Sequence, residues 1–253
     1  MGFFNSIFGS RKEQSSEPTG PFVNPVQVEF HSHLIPGVDD GVETFEQSLE
    51  ILENFHKMGM RKVITTPHIM SDFYKNGPEN LIPLRDELRL KLKEKGIDLE
   101  LEVAAEYMVD DGFQDKIAAG NLLTFGPKKR HILIELPFME EPRNFKQSIF
   151  ELQVNGYQVI LAHPERYPYM GMQRERFLEL KDQGVLFQMN MLSLLGYYSK
   201  GVMETAQYLV EKGMVDLVGS DTHHIRHFAL LPEVHQNRWY HKVCQADLIN
   251  NIL

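Results

Sequence analysis

After its first two dozen residues the chain alternates two kinds of segment: short runs of β-branched and aliphatic residues, and longer stretches whose apolar side chains recur every three or four positions. Runs of the first kind suit buried parallel strands, and stretches of the second kind suit helices packed on one face. Their alternation is the pattern of strands joined by helical crossovers. Seven strands are predicted, over 26–30, 62–66, 99–105, 131–136, 157–162, 185–189 and 215–219. Between the first two, Thr44 and Gln47 stand at capping-box spacing, Phe45, Leu49, Leu52 and Phe55 form one apolar side, and Gly59 marks the end. Helices are also expected over 78–95, 144–155 and 174–183, each closed by a glycine: Gly96, Gly156 and Gly184. Repeated helix, glycine and strand fit neither an all-α nor an all-β fold. The expected class is α/β, an α/β barrel, and a chain of 253 residues suits one such barrel.

The first residues stand apart. Phe3, Phe4, Ile7 and Phe8 would share one side of a short helix, followed by a polar stretch over 11–20. Such a helix would touch a membrane or a partner, but isolated helices this short are marginal in water. The expectation is a flexible tail over 1–22 and a single catalytic domain over 23–253.

Charge and composition narrow the function. A net charge of −9 argues against general nucleic-acid binding, which needs Lys and Arg to replace phosphate counterions. The single cysteine, Cys244, can form no internal disulfide, and no long apolar span or signal peptide is visible. A cytoplasmic protein without stable membrane insertion is expected.

Metal-capable side chains fall where the strands end. His31 and His33 close the first strand, and strand alternation sends both to the same side. His68 follows the second strand, Glu106 the third, and Glu135 sits at the end of the fourth; His163 follows the fifth, and Asp221 with His223 the seventh. In a parallel barrel all these carboxyl ends share one face, where active sites are assembled. Asp39 or Asp40 could add an oxygen ligand, or simply form an Asx turn before the Thr44 cap. Imidazoles and carboxylates without thiolates suit manganese, iron or zinc, and nine candidates are too many for one tetrahedral ion. Two or three divalent ions with bridging carboxylates are expected, as in phosphate-ester hydrolysis. Arg166, three residues after His163, either clamps phosphate or pairs with Glu165 or another acid. His224, Arg226 and His227 share the Asp221 loop; the histidines either protonate a leaving group or are merely exposed. His56, His131, His235 and His241 read as structural or solvated.

The stretches EFHSHLIPGVDDG, ITTPH, AAEY, ILIELP, LAHPERY and GSDTHH, taken in order, resemble the polymerase and histidinol phosphatase (PHP) superfamily, most closely its bacterial capsule-type tyrosine phosphatases. The resemblance runs from about Val26 to the C-terminus. It implies a distorted seven-stranded (β/α) TIM-like barrel with a three-metal centre, manganese first among the metals, iron or zinc as alternatives. By motif, His31, His33, Glu106 and Asp221 would hold one metal, with Glu106 bridging to a second completed by Glu135 and His163. Asp40, His68 and His223 would hold the third, and Arg166 would clamp phosphate. Arg226 comes sooner after the last metal histidine than the second phosphate-binding arginine of such enzymes.

The implied reaction is hydrolysis of phosphotyrosine in protein, with metals lowering the pKa of the attacking water and His223 or His224 assisting the leaving group. The implied partner is the phosphotyrosine tail of a bacterial tyrosine autokinase of polysaccharide export, which would bring a cytoplasmic enzyme to the membrane periphery. The alternative is a small-molecule phosphatase such as histidinol-phosphatase. An amidohydrolase would need a bridging lysine where this chain has Glu106 and Glu135, and a domain that had lost its metals would lack several ligands.

Overall fold

In a computed structural model that describes residues 24–253, Thr44 starts the first helix as its spacing predicts. Its hydroxyl accepts from the Gln47 N–H at 3.3 Å, and Gln47 Oε1 accepts from the Thr44 N–H at 3.2 Å. Helix α1 (Phe45–Lys57) buries Leu49, Ile51, Leu52 and Phe55 against the sheet. The tail expected over 1–22 lies outside the described residues.

The strands are β1 (Val28–Phe30), β2 (Lys62–Thr65), β3 (His68–Ile69), β4 (Glu100–Val103), β5 (Glu106–Met108), β6 (His131–Glu135), β7 (Gln158–Ala162), β8 (Leu186–Asn190) and β9 (Leu217–Gly219). The further helices are α2 (Pro78–Glu94), α3 (Phe113–Ala119), α4 (Phe145–Val154), α5 (Pro168–Met172), α6 (Glu175–Asp182), α7 (Lys200–Glu211), α8 (Ile225–Phe228), α9 (Leu231–Val234) and α10 (Arg238–Val243).

Every strand pairing is parallel, in a three-stranded sheet ordered β1-β2-β4 and a six-stranded curled sheet ordered β3-β5-β6-β7-β8-β9. Nine short strands in two sheets therefore stand where seven strands in one barrel were expected. The difference lies in two interruptions. Pro67 has no N–H to give to a ladder, so pairing lapses between β2 and β3, and it lapses beside it at Ala104 and Ala105, between β4 and β5. Single bonds cross the gap, Ala104 N–H to Thr65 O at 2.9 Å and Glu106 N–H to Pro67 O at 3.1 Å.

The edges also meet. Ser32 bridges to Thr222, the His33 N–H donates to Thr222 O at 2.9 Å, and the Asp221 N–H donates to His31 O at 2.8 Å. The approach of β9 to β1 is so close that a Cβ on Gly219 would sit 2.0 Å from Phe30 O, so no larger residue fits there.

Two apolar clusters follow from strand alternation. Val28, Phe30, Ile64, Leu133, Ile160, Ala162 and Leu217 fill the inside of the curl, which Phe125 and Leu253 close at one end. The alternate residues, among them Val63, Ile132, Ile134, Val159 and Leu161, pack outward on the helices. The opposite end of the lumen, at the strands' carboxyl ends, is left to polar side chains.

Candidate metal centre

Strand alternation carries Glu135 to the lumen side, two residues beyond Leu133 on β6. It would not carry His31 or His163 there, because Phe30 and Ala162 already face inward. Both histidines adopt left-handed backbone conformations, φ 76° and 33°, and so does Asp221 at 53°. Among the described residues only Lys128 is another non-glycine with positive φ. Such conformations cost about 1–3 kcal/mol each and persist where the surroundings enforce them. Here they turn ligand-type side chains into the mouth.

All nine expected metal residues converge. Four overlapping groups, His33–Asp40–His68–His223, His31–His33–Asp221, His31–Glu106–His163 and His68–Glu106–Glu135, each keep one ligand atom per residue within 4.8 Å of the others. Glu106 is central: Oε2 lies 3.1 Å from His31 Nε2 and 3.3 Å from His68 Nδ1, and Oε1 lies 3.0 Å from His163 Nε2. Asp221 Oδ1 lies 3.4 Å from both His31 Nε2 and His33 Nε2. His68 also approaches Glu135, Nδ1 to Oε1 at 2.7 Å, which the motif assignment did not anticipate.

Three histidines are held by their outer nitrogens. His31 Nδ1 donates to Gln188 Oε1 at 2.7 Å, His33 Nδ1 to Asp39 Oδ2 at 2.8 Å, and His223 Nδ1 to the Asp221 carbonyl at 2.9 Å. Each ring thereby presents Nε2 to the cluster, the arrangement in which an outer acceptor sets the tautomer of a metal-binding histidine. The two adjacent aspartates divide accordingly. Asp39 is the buried orienter, also accepting from the His68 and Gly41 N–H groups at 3.0 Å. Asp40 is half-exposed and stands 3.5 Å from both His68 Nε2 and His223 Nε2.

The electrostatics favour a cation. Burial lowers the His68 pKa, yet Glu135 and Glu106 overcome it and raise the pKa to about 9. The adjoining His223 ring holds Asp40 down at about 2. Burial, and then the Arg166 charge, push His163 down to about 4, so its imidazole is neutral and free to ligate. His33 Nε2, His68 Nδ1 and Glu135 Oε1 are buried and make no hydrogen bond of good geometry, although each lies within 3.5 Å of an oppositely charged neighbour in the cluster. Buried polar atoms are rarely left so, and divalent ions would satisfy them. The residues fit the group.

Arg166 lies on the 3-10 turn after His163. It pairs with Asp221, Nη1 to Oδ2 at 2.9 Å, rather than with Glu165. Its guanidinium lies over two aromatic rings, Phe138 at 4.8 Å to the ring centre and Tyr198 at 4.1 Å. With Phe138, Tyr198, His223, His224 and His227, it lines a cavity of about 350 Å³ over the cluster. Arg226 stands exposed on α8 and is not among the lining residues. His131, at the strand end away from the mouth, contacts Phe125, and His235 and His241 bond within the C-terminal helical region, as expected of structural histidines.

Sequence reasoning missed Gln188, Phe138 and Tyr198, and took Asp39 only as an alternative ligand or turn former. Phe138, a large apolar residue directly after a strand end that supplies Glu135, carried a signal. Gln188 lies inside a strand and carried none.

The family described as "Capsular polysaccharide synthesis, CpsB/CapC" matches residues 27–252. The tyrosine-protein phosphatase YwqE of Bacillus subtilis is 30% identical over 199 residues, covering 79% of this chain and 78% of that protein. A crystal structure from work on YwqE of Bacillus subtilis and CpsB of Streptococcus pneumoniae, described as metal-dependent tyrosine phosphatases, superposes with a TM-score of 0.75 at 26% identity. It covers 89% of this chain and 95% of that one. The phosphotriesterase homology protein of Escherichia coli shares the fold at 14% identity, with a TM-score of 0.51 and coverage of 86% and 93%.

Proposed function

The chain belongs to the CpsB/CapC family of capsular polysaccharide synthesis, and on that premise we propose that it is a metal-dependent phosphatase for phosphotyrosine in protein. Its substrate on this reading is the phosphotyrosine tail of a bacterial tyrosine kinase of polysaccharide export. The observation that carries the reading is the convergence of nine ligand-type side chains beside one guanidinium held by two aromatic rings. We read β2 with β3, and β4 with β5, as interrupted single strands, so that residues 23–253 form one seven-stranded domain joined at Ser32 and Thr222. No helix among the described residues is long and apolar enough to cross a membrane, and we place the enzyme in the cytoplasm, reaching the membrane through its kinase.

Two or three divalent ions, manganese first, are assigned to His31, His33, Glu106 and Asp221; to Glu106, Glu135 and His163; and to Asp40, His68 and His223. Glu106 is the one carboxylate that two of the four groups share, as a bridging ligand must be, while Glu135 falls with His68 and His163 with His31. Such ions, when bound, lower the pKa of the attacking water and neutralise charge on the phosphoryl oxygens. Arg166 binds and orients the phosphate, its planar fork fixed by the Phe138 and Tyr198 rings. His224, which lines the cavity and is assigned to no metal, gives a proton to the departing phenolate, which with a pKa near about 10 needs little help; His223, its Nδ1 donating to the Asp221 carbonyl and its Nε2 turned to the metals, has none to give. Arg226, exposed and outside the cavity lining, is given no role on this reading. Cys244 has its thiol pKa pushed up to about 11 by burial and is no nucleophile.

The test is turnover of a phosphotyrosyl peptide against histidinol phosphate, before and after EDTA and manganese restoration. The expected result is peptide preference, loss with EDTA and recovery with the metal. A strong preference for histidinol phosphate would favour the small-molecule alternative.

A further inference from the structure

Strands β6, β7, β8 and β9 are consecutive neighbours in the curled sheet, and the connection after each leaves one large apolar side chain in solvent. Met139 after β6 is 91% exposed, and Met172, which ends α5 after β7, is 79% exposed; Tyr197 after β8 is 46% exposed, and Ile225, which starts α8 after β9, is 39% exposed. All four border the cavity over the metal cluster. Phe138, Tyr198 and His224 line that cavity and are the chain neighbours of Met139, Tyr197 and Ile225, while Met172 lines a hollow that shares Arg166 with it. The Tyr197 hydroxyl lies 3.0 Å from Nε2 of His227, another lining residue. At the opposite end, the turns that lead from helices back into strands expose no large apolar side chain among the described residues. A single exposed apolar residue is ordinary, but an arc of them along one side of a mouth marks an interaction surface.

We propose that this arc docks the polypeptide on either side of the phosphotyrosine and selects large apolar residues, aliphatic or aromatic, in that segment. The inference rests on the phosphatase reading above. Position commits the occupant: a chain with its phosphotyrosine in the cavity must leave across the residues that border it. Chemistry commits the preference, because exposed thioether, ring and branched aliphatic side chains gain most from covering apolar surface. The two methionines adapt to partners of different shape, so size and apolarity are selected rather than one residue type. A net charge of −9 disfavours the other occupant an apolar arc suggests, an anionic lipid surface. A phosphate monoester without flanking residues would not touch the arc.

The experiment measures KM and kcat for phosphotyrosyl peptides carrying Ala, Ser, Leu or Phe at the flanking positions, beside p-nitrophenyl phosphate. It compares the unchanged protein with the double variant Met139→Gln, Met172→Gln, which keeps side-chain length at two exposed positions and makes both tips polar. In the unchanged protein Leu and Phe should each lower KM about fivefold or more relative to Ala, with Ser no better than Ala. The double variant should lose most of that advantage while its kinetics with the Ala peptide and with p-nitrophenyl phosphate stay within about twofold. Leu90→Gln, at a 63% exposed position on the outer side of α2, should change nothing. Equal KM for all peptides, a loss in the double variant as large for Ala peptides as for Leu and Phe peptides, or the same loss in Leu90→Gln, would overturn the docking surface. So would dimerisation, or binding to phosphatidylcholine vesicles, that the double variant abolishes, since the arc would then belong to a second copy or a lipid surface. Absence of any phosphotyrosine hydrolysis would instead count against the reaction. Calorimetric Kd values for the same peptides would then decide the docking surface by the same pattern, its absence overturning it.

Discussion

On β6, Leu133 and Glu135 face the same side of the sheet two residues apart, yet they belong to regions of opposite character. Leu133 lies in the lumen, in one apolar cluster with Phe30, Ile160 and Leu217. Glu135 lies in the mouth, where burial and the Glu106 charge push its carboxyl pKa up and His68 stands 2.7 Å away. The mouth concentrates left-handed backbone at His31, His163 and Asp221 and crowded buried polar atoms that make no hydrogen bond of good geometry. One set of strands thus supports stability at one end and stores strain and electrostatic tension at the other, where a cation and a phosphate can discharge it.

If the mouth serves function and the lumen stability, removing a mouth residue should leave the fold undamaged. Asp221→Ala should lower kcat/KM by about 1,000-fold or more while far-ultraviolet circular dichroism stays native. Unfolding of this variant would show that the mouth is structural after all. Arg166→Ala should cost about 2 to 5 kcal/mol of transition-state stabilisation with metal content unchanged, and Arg166→Lys should recover only part, because a point charge cannot reproduce a fork. Steady-state kinetics with metal quantitation checks both, and unchanged kcat/KM would reduce Arg166 to the Asp221 ion pair.

The converse experiment is made in the lumen. Leu133→Ala should destabilise the protein by about 2 to 5 kcal/mol in denaturant unfolding while kcat per folded molecule holds. A loss of activity exceeding the loss of folded protein would mean that the two regions are not separable. The smallest effect concerns Glu29, which strand alternation turns away from the lumen. Burial, opposed by the Ser220 N–H, pushes its carboxyl pKa from 4.5 to about 8. The native state therefore keeps a proton that the unfolded chain releases. The stability this lends is complete below 4.5 and is lost as pH rises through about 8. Thermal melts of Glu29→Gln should decline less between those limits than melts of the unchanged protein; parallel declines would refute the assignment.

The alternation of strands with the crossover helices α1, α2, α4 and α6 was legible in the chain, because period-2 and period-3.6 patterns, the Thr44 cap and the helix-ending glycines are local signals; the short helices α3, α5 and α7 to α10 were not read. The sequence by itself also determined that His31, His33, His68, Glu106, Glu135, His163, Asp221 and His223 belong to one end of the sheet, since each follows or ends an apolar run and all ladders are parallel. Tertiary structure decided what local signals do not encode. Pairing across the sheet decided that the second and third strands break near Pro67, and the close approach at Gly219 decided how the edges meet. Left-handed backbone at His31 and His163, against plain alternation, decided that their rings enter the mouth. Burial separated Asp39, which orients His33, from Asp40, which faces His68 and His223, though the two are neighbours of identical type. Packing brought Phe138 and Tyr198 over the Arg166 guanidinium and Gln188 to His31, contacts between residues far apart in the chain. The physical reason is common to all of these: a residue's type and local period set which element it joins, but its partners across space set its orientation, its tautomer and its charge.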